Sequence, residues 1–418
     1  MFQTMQQCTD FIFQLKASSY KGEPLEAMNK ILAALGHPER KTKFIHFAGS
    51  NGKGSTLNAT REILMAHDWT VGAFTSPHLE RANERITINQ QEISDEQFLR
   101  YANAVAQAVE EQLNGQFPSF FEVVTCIALQ HFAEEEVDIA LLETGIGGRL
   151  DATNVVIPEV SVITTISLEH TDLLGDTHAL IAAEKAGIIK KGKPVVVGVE
   201  HPEARETIRQ IAQQQEAPSY LLHESFQVER LANGAFHYKG DCSISNIQPA
   251  MEGIHQQNNA ALAITASKLV LRELREEAVR VALHRAKWQG RFERFGTNLI
   301  LDGAHNSEGT AALIQTLQQV EPNKKYHFLY AALQDKDHAV SIQMMEQVAT
   351  ALYFTTIQMP RAMSAQALAA QSPHSHIVED WAKFLAEQQL AEDELLIITG
   401  SLYFIGEVRT FLTQRGVQ

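Results

Sequence analysis

Seven residues, Gly49-Ser50-Asn51-Gly52-Lys53-Gly54-Ser55, have the makings of an anion-binding loop. Glycines let backbone N–H groups converge on phosphate oxygens, a helix N-terminus adds partial positive charge, and Lys53 supplies a full one. A hydroxyl from Ser55 or Thr56 is placed to reach a Mg²⁺ riding on such phosphates. The stretch departs from the general phosphate-loop pattern. Phe47 stands five residues before Gly52, where that pattern has glycine, and Gly54 separates the lysine from its hydroxyl. Taken alone, the seven residues also suit a tight turn with a solvated lysine.

Other reactive side chains fall at the ends of apolar runs. Ser76, Glu143 and His170 offer a hydroxyl, a carboxylate and an imidazole. A carboxylate at a buried strand end is costly unless paired or metal-bound, and a neutral imidazole is a metal ligand. Glu143 and His170 are therefore the candidates for holding metal. The plainer alternative for His170 is a hydrogen-bonded loop histidine. Lys185, beside Glu184, reads locally as a surface lysine paired with its neighbour. Phe120-Phe121-Glu122 suits a buried helix start, and Arg149-Leu150-Asp151 a salt-bridged exit from a glycine turn. Asp302 or Asn306 suits a helix N-cap. Arg291 and Arg294 read as linker charges.

The elements that must position these groups follow from periodicity. Residues 5–36 read as helical with an interruption at 22–24. A strand over 44–48 feeds the glycine loop, and apolar spacing past Thr56 predicts a helix. Residues 70–75 form a strand that Pro77 bars from continuing. Residues 80–93 lack a period and read as a loop over a site. Ser94 with Gln97 predicts a capped helix to about Leu113, and a second helix covers about 120–135. Strands are expected at 138–142, 160–166 and 194–199, with a helix carrying Lys185 before the last. This alternation predicts a parallel sheet, whose ligands gather beyond the carboxyl ends of its strands. Lys53, Ser76, Glu143 and His170 all belong there. From 219 to 249 short β-like runs carry an Asn233-Gly234 hairpin signal. Helices over 256–270 and 273–284 precede a break near Trp288. Beyond it come strands at 298–301, 326–331, 351–356 and 394–399, with a helix at 307–319. The predicted fold is α/β: residues 1–288 form a domain around a mostly parallel sheet, and 289–418 a smaller domain with a second alternating series.

Composition sets the outer bounds. The 418 residues allow two to three domains, and 44% hydrophobic with 20% charged residues is ordinary for a globular protein. The formal net charge of −15 argues against a nucleic-acid binder. No apolar run approaches the ~18 residues that span a bilayer. No leader is visible at Met1-Phe2-Gln3-Thr4, and Cys8, Cys126 and Cys242 are scattered, which together suggest a cytoplasmic chain with reduced thiols.

Taken jointly, several motifs resemble the folylpolyglutamate synthase and dihydrofolate synthase family, a branch of the Mur ligases. They include the loop at 49–55, Thr75-Ser76-Pro77-His78, Glu84-Arg85-Ile86, and the run from Glu143 to Asn154. Glu169-His170, Lys185 to Ile189, Gly290-Arg291-Phe292, Asp302 to Asn306 and Thr399 to Tyr403 follow in order. The resemblance implies an ATP-dependent ligase that adds L-glutamate to dihydropteroate and to reduced folates through an acyl phosphate. It also implies a phosphate-loop ATPase domain over 1–288, a smaller Rossmann-like domain over 289–418, and catalysis in a cleft between them. Asn51, Gly52, Lys53, Gly54 and Ser55 would bind ATP, with Asn259, Arg291 and Asp302 as further nucleotide contacts. Asn258 beside Asn259 leaves that position one residue open. Ser76, Glu143 and His170 would hold two Mg²⁺ ions, with a carbamate on Lys185 as an extra ligand and room for a monovalent cation. His305 would face the reaction centre. Ser119, Phe120, Phe121 and Glu122, with Leu150, Asp151 and Ala152, would hold dihydropteroate. Phe120 and Phe121 offer stacking surface and Asp151 an acceptor for pterin amino groups. The expected chain works as a monomer on small molecules, without nucleic acid or membrane. Rival readings are an enzyme confined to folate tails, a ligase for a cell-wall peptide precursor, and a nucleotide switch that only hydrolyses ATP.

Overall fold

The computed structural model describes residues 1–15, 18–334, 338–359 and 361–417. The chain divides into two compact units: Met1–Pro249 with Gln257–Ala286, and Ala250–Gln256 with Lys287–Gln418.

The first unit is built on an eight-stranded sheet of order β4-β3-β2-β5-β1-β6-β7-β8. Its strands are β1 (Phe44–Ala48), β2 (Val71–Phe74), β3 (Ile86–Ile88), β4 (Gln91–Glu92), β5 (Ile139–Glu143), β6 (Val160–Ile163), β7 (Val195–Val197) and β8 (Ser219–Leu221). Pairing from β2 across to β8 is parallel, while β3 and β4 add an antiparallel edge. The helices are α1 (Met5–Ile12), α2 (Glu26–Ala34), α3 (Lys53–Met65), α4 (Asp95–Leu113), α5 (Phe120–Glu134), α6 (Thr171–Leu174), α7 (His178–Ala186), α8 (Pro202–Gln214), α9 (Ile254–Val270) and α10 (Glu276–Arg285).

Every residue of β1 is buried, as a central parallel strand requires. Ile45 and Phe47 join a core with Leu57 and Ile63 of α3 and Ile264 of α9. Phe44, on the other face, packs with Phe98, Val105 and Ile127 from α4 and α5. The phosphate loop is thus carried by a strand gripped on both sides, between β5 and β6.

Three expectations for this unit need correction. The helical span 5–36 is two short helices, since α1 stops at Ile12 and α2 begins only at Glu26; residues 16 and 17 within that span lie outside the described ones. The region 80–93 is a 3₁₀ turn followed by the β3–β4 hairpin. Its turn residues Asn89 and Gln90 both have positive φ, 47° and 70°, without the glycine that usually marks such a turn. Residues 219–221 belong to the main sheet, so the antiparallel β subregion is only β9 (Gln227–Arg230), β10 (Phe236–Lys239) and β11 (Ser243–Ile247).

The second unit holds a six-stranded sheet of order β12-β13-β17-β14-β15-β16. Its strands are β12 (Glu293–Phe295), β13 (Leu299–Leu301), β14 (Lys325–Tyr330), β15 (Ala349–Phe354), β16 (His376–Ile377) and β17 (Glu394–Thr399). Only β12 is antiparallel to its neighbour. Helices α11 (Ser307–Val320), α12 (Ala339–Glu346), α13 (Ala365–Ala369), α14 (Trp381–Glu387) and α15 (Leu402–Gln414) complete the unit. The fold is the expected mixed α/β architecture, a parallel-rich sheet with a second, sheet-containing C-terminal unit. Among the described residues no helix is long and apolar enough to cross a membrane.

Candidate active site

Because β1, β2, β5 and β6 run parallel, the loops that follow them leave one edge of the sheet. The loop after β1 is laced to the chain after β6. Ser50 N–H donates to Thr165 O at 2.8 Å, Asn51 N–H to Thr165 Oγ1 at 2.9 Å, and Ser167 N–H to Ser50 Oγ at 2.9 Å. The Thr164 hydroxyl donates to Asn51 O at 2.6 Å. Gly52 caps α3 with φ 87°, and a Cβ there would lie 2.6 Å from Asn259 Oδ1. Only glycine meets both demands. On α9 the two neighbouring asparagines differ in place. Asn259 is buried at the loop, whereas Asn258 accepts from Arg230 at 2.8 Å. Lys53 folds back over the loop, its Nζ donating to Gly49 O at 2.8 Å and Ser50 O at 3.4 Å. Ser55 is buried in the first turn of α3, next to Gly54.

The other strand ends bring further polar groups. Ser76 N–H donates to Glu143 Oε2 at 3.1 Å, which ties the end of β2 to the buried carboxylate at the end of β5. His170, after β6, caps α6 in the left-handed region at φ 48°. A hydroxyl, a buried carboxylate and an imidazole thus follow three parallel strands of one sheet.

Lys185 corrects its local reading. It is 2% exposed, and its Nζ donates to Glu169 Oε1 at 2.9 Å. Glu184, its supposed partner, instead takes Arg149 at 2.8 Å. Burial pushes the Glu169 carboxyl up, but the charges of Lys185 and Lys53 and a hydrogen bond from Ser50 outweigh it and hold the group down at about 2. Glu169 therefore links the phosphate loop to α7. Sequence reading assigned it no role, although it stands one residue before His170.

The glycine turn after β5 is organised by Asp151. Its Oδ2 accepts from Gly145 N and Ile146 N at 2.9 and 3.1 Å, and its Oδ1 from Thr153 N and Thr153 Oγ1 at 3.0 and 2.5 Å. Burial raises the Asp151 carboxyl against the pull of these four donors. Beneath it, fully buried His46 of β1 meets Thr153 Oγ1 through Nε2 at 2.7 Å. Desolvation and Lys190 lower that imidazole to about 3, so it is neutral. Since Thr153 donates to Asp151, His46 Nε2–H is the donor to Thr153. Gly148 lets the turn approach α7, where a Cβ would lie 2.7 Å from Lys185 O. Ala152 is buried in this turn and Leu150 is 48% exposed.

The Phe121 ring lies beside Gly145 and 5.5 Å from Phe74. Phe120 packs against Phe13 in a tilted pair at 5.2 Å, with the Arg85 guanidinium 5.1 Å from its ring. Ser119 and Glu122 form a reciprocal capping box at the start of α5, with Ser119 Oγ donating to Glu122 Oε2 at 2.6 Å. The structure commits these two polar side chains to the helix end that presents the phenylalanines.

In the second unit Asp302 Oδ2 accepts from Phe292 N at 2.8 Å and Oδ1 from Ala304 N at 2.9 Å. Burial raises the Asp302 carboxyl, and Arg291 opposes that shift. His305 Nδ1 donates to Gly303 O at 2.9 Å, which leaves Nε2 as the basic nitrogen. The N-cap of α11 is Asn306, which accepts from Gly309 N at 2.8 Å. Arg294 is no loose linker charge, since it pairs with Glu252 and Glu321.

Models of the Mur ligase middle domain and of the Mur ligase glutamate ligase domain match residues 47–267 and 290–402. A dihydrofolate synthase/folylpolyglutamate synthase of Bacillus subtilis is 39% identical over 406 residues, 92% of this chain and 94% of that protein. The chain belongs to the Mur ligases, in their dihydrofolate synthase/folylpolyglutamate synthase branch. Solved structures of this branch carry the likeness through both units. E. coli FolC in complex with DHPP and ADP matches with a TM-score of 0.90 at 27% identity, over 99% of each chain. A bifunctional folylpolyglutamate synthase/dihydrofolate synthase with Mn, AMPPNP and L-glutamate bound matches at 0.88 and 28%, over 98% of each.

Proposed function

We propose that this Mur ligase uses ATP to join L-glutamate to dihydropteroate, and then to the γ-carboxylate of folates. The observation that carries the reading is the end-to-end similarity to a relative named for both activities, 39% identical over 92% of the chain. The phosphate loop gives it a physical basis.

A carboxylate is a poor electrophile. In the first step an acceptor carboxylate oxygen attacks the γ-phosphorus of ATP, ADP leaves, and an acyl phosphate forms. The glutamate amine then attacks the acyl carbon, loses a proton, and phosphate departs with the former carboxylate oxygen. Lys53 exchanges its carbonyl partners for phosphoryl oxygens, and the loop amides add further donors. A divalent cation held by Ser76, Glu143 and His170 supplies charge neutralisation at the phosphoryl group. Asn51, Gly52, Gly54, Ser55, Asn259, Arg291 and Asp302 bind the nucleotide, and His305 faces the reacting groups. Phe120 and Phe121 stack the pterin, while Asp151, expected as an acceptor for its amino groups, spends its oxygens on its own turn and shapes the wall beside it.

A carbamate on Lys185 belongs to the same proposal. The ammonium is matched by Glu169, so carbamylation has to displace that pairing and make a second carboxylate on a buried arm. Lys185→Ala should then be strongly impaired and partly rescued by a small added carboxylate; a fully active alanine variant would remove the carbamate. The whole reading is tested by incubating purified protein with Mg-ATP and glutamate. Dihydropteroate and tetrahydrofolate should each support phosphate release and a glutamylated product. Product from tetrahydrofolate alone would restrict the enzyme to tail extension, and phosphate release without any acceptor would make it a simple ATPase.

A further inference from the structure

Away from the phosphate loop, the N-termini of α7 and α8 bring together three side chains that the proposed reaction does not use. His178 is the first residue of α7, His201 is the N-cap of α8, and Glu203 lies in the first turn of α8. One ligand atom from each lies within 4.8 Å of the others, the one such group of three among the described residues. The two imidazoles stack face to face, with centroids 3.8 Å apart and planes 10° from parallel. Neither His201 nor Glu203 is spent on helix capping, because α8 has no side-chain cap bond. The backbones that carry the group are fixed, since α7 and α8 pack along each other over a shared core of Ile181, Ala182, Ala204 and Ile208.

We propose that His178, His201 and Glu203 form a binding site for a borderline divalent cation of the Zn²⁺ class, separate from the nucleotide's Mg²⁺. Two imidazoles and one carboxylate are ligands suited to Zn²⁺, Co²⁺ or Ni²⁺, while Mg²⁺ favours sets dominated by oxygen with at most one nitrogen. Ligand bonds of about 2.0–2.2 Å require the donor atoms to draw in by roughly 1 Å, which side-chain rotation supplies. Stacked rings hold their lone pairs in near-parallel planes that do not meet at one ion. Binding therefore tilts the stacked rings apart so that both lone pairs meet at one ion, and a fourth position stays open to water. The ion would staple the start of α7 to α8. Because α7 carries Lys185 two turns further on, the staple braces the helix that reaches the site.

The test uses the full chain, stripped by chelator and dialysed against Zn²⁺ with millimolar Mg²⁺ and ADP present to fill the nucleotide site. One equivalent of Zn²⁺ should bind at micromolar concentration. His178→Ala and His201→Ala should each weaken it tenfold or more, and Glu203→Gln should weaken it less. Zn²⁺ should raise the melting temperature of the parent but not of the histidine variants, whose zinc-free ligase activity should equal the parent's. Co²⁺ in place of Zn²⁺ should give visible absorption bands that vanish in His178→Gln. Zn²⁺ binding unchanged in the histidine variants, or none below about millimolar, would overturn the site.

Discussion

Two glycine-containing loops follow buried parallel strands of the same sheet, and they spend their polar groups in opposite ways. The loop after β1 holds its one charged side chain, Lys53, against the carbonyls of Gly49 and Ser50. Those are weak partners that an anion readily replaces, so the charge is stored for a ligand. The turn after β5 points inward, with Asp151 taking four donors from its own residues and Thr153 resting on His46. Similar strings of glycine and polar residues thus give a loop poised for a ligand in one place and a self-braced wall in the other. What separates them is the sign of the central charge. A lysine cannot be satisfied by amide N–H groups, whereas an aspartate can.

Substitutions should divide along this line. The largest effect on stability should fall where the phosphate loop meets α7. In protein stripped of CO₂, so that Lys185 is the free ammonium, Glu169→Gln leaves it buried without its counter-charge and should cost about 3–5 kcal/mol in denaturant melts. The folded-state carboxyl of Glu169 lies below its unfolded value, so its contribution is present above the ordinary carboxylate range and lost as pH falls toward about 2. Urea midpoints of parent and variant should therefore converge on acidification, and parallel curves down to pH 2.5 would argue against the pairing. Next comes Lys53→Ala, expected to reduce turnover by about 10²–10³-fold, or ~3–4 kcal/mol, with little change in melting temperature. Near-normal turnover would erase the contrast between the two loops. Asp151→Asn should do the reverse. Placing an NH₂ against backbone donors should cost about 1–3 kcal/mol of stability and raise KM for dihydropteroate, while KM for ATP stays put. The smallest effect belongs to Arg294→Ala. Its pairs with Glu252 and Glu321 are about one-third exposed on the arginine side, so the loss should stay within about 1 kcal/mol and leave turnover unchanged.

The parts legible from sequence were those set by local pattern. β1 occupies the expected 44–48, because its apolar residues, interrupted only by His46, run up to a glycine. Ser94 starts α4 as the expected N-cap, since a cap is written within four residues. What escaped depended on contacts distant in sequence. Glu184 and Lys185 look like a surface pair, yet α7 turns one toward Arg149 and the other into the core toward Glu169. The β3–β4 hairpin hid behind a turn without glycine. His46 gave no sign of its place under Asp151, because the bond to Thr153 spans 107 residues.

The central claim is that the phosphate loop activates an acceptor carboxylate by phosphorylating it. Dihydropteroate labelled with ¹⁸O in its carboxylate, turned over with Mg-ATP and glutamate, tests this directly by mass spectrometry of the released phosphate. The account predicts one ¹⁸O atom in each phosphate released with dihydrofolate, because the acyl phosphate bridge oxygen leaves with phosphorus. Phosphate free of the label, formed alongside dihydrofolate, would contradict it.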